Sequence, residues 1–165
     1  AQKNMGPAGT TLVIVRNSIL GKTGRIIPSM LNYQTHIDSN SMFNTPPVFP
    51  IYVSMLTLQW LKNQGGVNAI ELKNIEKANL LYSEIDRNTL FIGTAKEEDR
   101  SSMNICFLLS DQSKKETFDK MWNAAGINGI NGHRSVGGYR ASVYNAMPIE
   151  SVNILVEIMK KLEKN

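Results

Sequence analysis

The chain has 165 residues, 18 Lys and Arg against 14 Asp and Glu, a formal net charge of +4 and a 42% apolar share. That length suits one domain, or a small domain with part of another, and the apolar share provides for a sizeable core. So mild a charge favours anionic ligands only weakly, and the single cysteine, Cys106, excludes an internal disulfide and a Cys/His zinc cluster.

"TTLVIV" at 10–15 is β-branched and continuously apolar, the pattern of a buried strand. Residues 17–32 read as turns and short helical pieces, broken by Gly21, Gly24 and Pro28. The polar loop "DSNSMFNTPP" ends in Pro46 and Pro47, which favour a first helical turn and predict a helix over about 47–64. That helix is apolar on most sides, so it is expected to lie buried between other elements. With Pro50, Ser54, Thr57 and Gln59 inside it, the stretch is too short and too polar to span a bilayer.

A second helix, about 67–86, places Ile75, Ala78, Leu81, Tyr82 and Ile85 on one face, with Glu71, Lys73, Glu76 and Lys77 largely elsewhere. Strands are predicted at 89–93 and 103–109, the second holding Cys106 as a buried, inert thiol. Ser110 or Asp111 is placed to cap a helix over 112–124 that stops at Gly126. A short strand is expected at 127–130 and another at about 139–144. Pro148 opens the last helix, with Val152, Leu155, Ile158, Met159 and Leu162 at helical spacing. Residues 67–165 therefore describe an α/β sandwich with its own core, whereas 1–46 hold one strand and no partner for it.

Four stretches carry chemistry. Lys3 in "QKN" precedes a Gly-rich turn; it is either a solvated charge or a reactive amine suited to Schiff-base formation. Asn44 and Thr45 in "NTPP" stand where a helix begins, as helix caps or as donors to an anion. His133, Arg134 and Arg140 fall in "NGHRSVGGYRAS", either a basic surface loop or a site for a ligand with two anionic ends. "YNAMP" at 144–148 reads as a structural strand-to-helix junction. Aromatic residues near Arg134 and Arg140 are too sparse for nucleic acid.

Together, "AQKNMGPAG" with "TLVIVR", "PSMLNYQTH", "SMFNTPP", "WLKNQGGV" and "GHRSVGGYRASVYNAMP" resemble the phosphoserine aminotransferase family, pyridoxal-phosphate enzymes of the fold type I aminotransferases. The resemblance runs nearly end to end, in the family's order and spacing, and corresponds to its C-terminal portion. It implies an α/β fold with a remnant of the large mixed-sheet domain at 1–46, an interdomain helix at 47–66 and the small C-terminal α/β domain at 67–165. The family's N-terminal half, which carries the aspartate and the aromatic that hold the cofactor ring, is expected elsewhere, either in the longer protein of which this is a fragment or in a separate chain.

By the same resemblance, Lys3 is the lysine that holds pyridoxal 5′-phosphate as a Schiff base, and Gln2 contacts the cofactor phosphate. Asn44 and Thr45 match the pair that reaches the other subunit's cofactor in a homodimer. His133 and Arg134 match the pair that binds the substrate phosphate or the distal carboxylate of glutamate, and Arg140 matches the grip on the α-carboxylate. The implied reaction exchanges an amino group between 3-phosphoserine and 2-oxoglutarate in serine biosynthesis, in the cytoplasm, without a metal. The alternative is a non-catalytic α/β module that binds an anionic metabolite.

Overall fold

Residues 1–134 and 137–164 are described by a computed structural model; Ser135, Val136 and Asn165 lie outside the described residues. The chain divides into two units, Ala1–Trp60 and Leu61–Asn165.

The first unit contains helix α1 (Tyr33–Asp38), capped by the Asn32 side chain, which accepts from the Gln34 N–H. Its second helix, α2 (Val48–Asn63), continues past the boundary between the units. The proline pair sets its start: the Pro47 carbonyl accepts the N–H of Ile51 at 3.2 Å. Two expectations fail here. Residues 10–15 form no strand, and Leu12, Val13 and Ile14 are exposed. A strand exists by pairing, and no second extended segment of this unit lies alongside to pair with it. Helix α2 is not enclosed either: Ser54 alone is buried, while Val48, Phe49 and Tyr52 are exposed. Enclosing an all-round apolar helix takes layers on more than one side.

In the second unit, helix α3 (Gly66–Arg87) buries Ile70, Asn74, Lys77, Ala78, Leu81, Tyr82 and Ile85, a stripe at helical spacing. Ile75, expected on that stripe, is 43% exposed, and Lys77, expected in solvent, is 2% exposed. Strands β1 (Phe91–Gly93), β2 (Asn104–Leu109) and β3 (Tyr139–Ser142) form one antiparallel sheet in the order β1-β2-β3. Asp111 caps the turn that leads into α4 (Lys115–Ala124) by accepting the Ser113 N–H at 2.9 Å. The strand expected at 127–130 is absent. Asn128-Gly129 is turn chemistry, and the segment is joined to β3 by the neighbouring Asn131–Tyr139 bridge and by the Ile130 carbonyl, which accepts the Arg140 N–H. Helix α5 (Ile149–Glu163) follows Pro148 and buries all five expected positions together with Val156.

Period-2 burial along β2 sends Ile105, Phe107 and Leu109 into the core with Phe91, Phe118, Tyr139 and Met159. Asn104, Cys106 and Leu108 take the other face, so Cys106 is half-buried rather than in the core. The fold is therefore α/β, with a small antiparallel sheet and helices. Among the described residues no helix is long and apolar enough to cross a membrane.

Candidate active site

Lys3 lies in a turn closed by the Gly6 N–H, which donates to the Lys3 carbonyl at 3.1 Å. The turn packs on α2. A side chain at Gly6, where φ is +112°, would meet Ser54 Oγ at 2.7 Å. Gln2 and Lys3 are both exposed, and the Lys3 ammonium forms no ion pair among the described residues. Asn44 and Thr45 are exposed just ahead of α2. The Asn44 side chain does not cap that helix; its Nδ2 donates to the Thr45 carbonyl at 3.1 Å.

In the second unit the chain doubles back as a tight hairpin. The Ile130 carbonyl accepts the Arg140 N–H at 2.7 Å, the Gly132 N–H donates to the Gly138 carbonyl at 2.9 Å, and the Gly137 N–H donates to the His133 carbonyl at 2.8 Å. His133 and Arg134, both exposed, stand at its tip, and Arg140 stands at its base. Gly138 is required there: φ is +65°, and a Cβ would lie 2.3 Å from Leu108 Cδ2 and 2.7 Å from the Phe107 carbonyl.

Alternation along β3 directs Arg140. Tyr139 and Ala141 are buried, so Arg140 projects from the opposite face, across from Cys106. Arg140 also borders a cavity of about 270 Å³ beside Ile127, Asn128, Ser142 and Ile154. Tyr139 fixes the strand from the core side. Its ring stacks on Phe107 at 5.4 Å and meets Phe118 edge-on at 5.0 Å. Its hydroxyl donates to Asp119 Oδ1 at 2.8 Å, and Trp122 Nε1 donates to the same oxygen at 3.0 Å. Burial alone would raise the Asp119 carboxyl, but hydrogen bonds from Lys115, Tyr139 and Trp122 outweigh it and hold the pKa below the usual aspartate value. Burial first, and the bond to Asp119 second, push the Tyr139 phenol well above its ordinary range.

Lys77 holds the far end of β3. From α3 its ammonium donates to the carbonyls of Val143 at 3.0 Å, Tyr144 at 2.7 Å and Met147 at 3.1 Å. One turn earlier, Asn74 Nδ2 donates to Asn145 Oδ1 at 2.8 Å. Burial lowers the Lys77 pKa below the ordinary lysine value. Neither Lys77 nor Asp119 is marked in the sequence as part of a site. The one available signal was position: Lys77 stands three residues after Asn74 and four before Leu81, on the buried stripe.

Lys3, Gln2, Asn44 and Thr45 thus belong to the first unit, and His133, Arg134 and Arg140 to the second. Residues 1–155 match the aminotransferase class-V family. The chain belongs to that family. It is 72% identical over 163 residues to a phosphoserine aminotransferase of Flavobacterium psychrophilum, covering 99% of this chain and 46% of that protein. A solved phosphoserine aminotransferase structure, studied for radiation damage of its Schiff base, matches with a TM-score of 0.92 and 44% identity, over 99% of this chain and 46% of its own. A pyridoxal-phosphate-bound phosphoserine aminotransferase from Trichomonas vaginalis matches with a TM-score of 0.74 and 37% identity, over 81% and 39%. The chain spans about half the length of the curated relatives it matches.

Proposed function

We propose that the full-length protein carrying this segment is a pyridoxal-phosphate-dependent transaminase that exchanges an amino group between 3-phosphoserine and 2-oxoglutarate. The observation that carries the reading is the hairpin with His133 and Arg134 at its tip and Arg140 at its base. Phosphoserine and glutamate share an α-carboxylate and differ at the far end, phosphate against carboxylate. Arg140 grips the shared end, since a guanidinium fork matches a carboxylate bidentately. His133 and Arg134 take the variable end, where either anion satisfies the same donors.

The first unit fits the cofactor by the chemistry of its donors. Lys3 offers an exposed amine for the cofactor's carbonyl carbon, and Gln2, Asn44 and Thr45 offer amide and hydroxyl groups to its phosphate. When bound, pyridoxal 5′-phosphate supplies the electron sink that makes the substrate Cα–H acidic. Lys3 Nζ, as the free amine, takes that proton as general base. Arg140 holds the α-carboxylate and thereby fixes which way the Cα–H points.

The same reading assigns 1–46 to the large cofactor-binding domain, 47–66 to an interdomain helix and 67–165 to the small domain. The protein acts as a homodimer with cofactor sites at its interface, in a cytoplasm reducing enough to keep Cys106 free.

The test compares amino donors. The full-length protein, loaded with cofactor, is assayed with 2-oxoglutarate and phosphoserine, serine or alanine. Phosphoserine is expected to be preferred by at least about tenfold, one charge-assisted hydrogen bond being worth that much. Equal use of serine or alanine overturns the phosphate role of His133 and Arg134. Failure to bind the cofactor at all favours a non-catalytic module for an anionic metabolite.

A further inference from the structure

Arg140 occupies the second position of a four-residue strand, and so short a strand is aimed by whatever holds its two ends. Upstream, Tyr139 is bonded to Asp119. Downstream, the carbonyls of Val143 and Tyr144 do not continue a ladder with a further strand; they turn inward and are taken, with that of Met147, by a single ammonium. A lysine has three donors and no acceptor, and all three are used here. The group is 2% exposed, and its acceptors are 66, 67 and 70 residues away in sequence, so the contact joins α3 to the end of β3 rather than closing a local turn.

We infer that Lys77 is a positioning residue for Arg140: its three hydrogen bonds fix the path of residues 143–147, and thereby the angle at which β3 presents the guanidinium. The inference rests on the proposed role of Arg140 in binding a carboxylate. A burial role alone would be served better by an apolar side chain, because removing an ammonium from water is costly unless its partners are fixed. Without Lys77 the three carbonyls at the strand-to-helix junction lose their shared donor; that of Tyr144 keeps the Met147 N–H at 2.9 Å, whereas those of Val143 and Met147 regain a donor by rotating toward solvent. Asn74 adds a fourth tie one helical turn away. Its Oδ1 is buried without a partner among the described residues, so replacement by leucine removes an oxygen already unsatisfied together with the bond to half-buried Asn145, whose Oδ1 loses that donor.

The experiment uses the full-length, cofactor-loaded protein and glutarate, a dicarboxylate with no amino or keto group to react. Binding is measured by titration calorimetry in wild type, Lys77→Met, Asn74→Leu, Arg140→Ala and the two doubles with Arg140→Ala. Lys77→Met is expected to weaken glutarate about tenfold, and Asn74→Leu by about threefold. Neither should weaken it further once Arg140 is gone, since residues acting through one group are not additive. In steady state, KM for glutamate and for phosphoserine should rise together in Lys77→Met with kcat little changed. Wild-type affinity in Lys77→Met at a lowered melting temperature, or losses that add to that of Arg140→Ala, would overturn the inference and leave Lys77 a purely structural group. If Lys77→Met does not fold, the same comparison is read on Asn74→Leu. If Arg140→Ala binds glutarate as wild type does, the proposed role of Arg140 fails and the inference falls with it.

Discussion

Tyr139 Oη donates to Asp119 Oδ1 at 2.8 Å, so the residue immediately before Arg140 is bonded to α4 as well as packed in the core. Tyr139→Phe keeps both ring contacts and removes only that bond. A hydrogen bond to a charged acceptor contributes about 1.5–3 kcal/mol, so the variant should lose that much unfolding free energy and melt at a lower temperature. An unchanged melting temperature would show that the bond is not formed in solution.

The same carboxylate gives a pH dependence. The folded-state pKa of Asp119 is depressed below its ordinary 3.8. Its contribution is therefore fully present above the unfolded value and is lost as pH falls through the folded value. Asp119→Asn should lower stability at neutral pH and flatten its loss below pH 3.8. Parallel melting curves across that range for wild type and variant would contradict the assignment.

Gly138→Ala should be among the most damaging small substitutions in the second unit. A left-handed φ costs an alanine about 1–2 kcal/mol, and the new Cβ must also displace the Phe107 carbonyl. Substrate affinity should fall alongside the melting temperature, because the substitution falls between Arg134 and Arg140.

Arg140→Lys in the full-length protein should raise KM for phosphoserine and glutamate alike, by about ten- to a hundredfold for each hydrogen bond lost from the fork. An effect on phosphoserine alone would place Arg140 at the distal end of the substrate.

Lys3→Ala should abolish turnover in the cofactor-loaded protein while leaving His133, Arg134 and Arg140 able to bind glutarate. Retained turnover would remove Lys3 from its role as base.

What the sequence revealed depended on whether a segment's neighbours were close in the chain. Helix α5 was legible because its five apolar positions all face one core, and β2 because it is a short apolar run, although its period-2 burial, which puts Cys106 on the half-buried face, was not. The strand that carries Arg140 was legible, whereas the hairpin that closes it against Ile130 was not. Residues 10–15 were misread because apolar character marks a segment as able to pair and says nothing of what it pairs with. Lys77 and Asp119 were missed for a related reason: their partners lie 66 and 20 residues away, a separation that side-chain periodicity does not encode.

Helix α2 has a consequence beyond its exposed surface. The Lys3 turn rests on Ser54, and Asn44 and Thr45 lead directly into the helix start at Val48. Six residues of helix, about 9 Å of axial rise, separate the two attachments. Under the proposed reading, Lys3 serves the cofactor of its own subunit, and Asn44 with Thr45 serves the partner's. One rod would then carry a contact for each of two catalytic centres, and sliding it by a fraction of a turn would retune both at once.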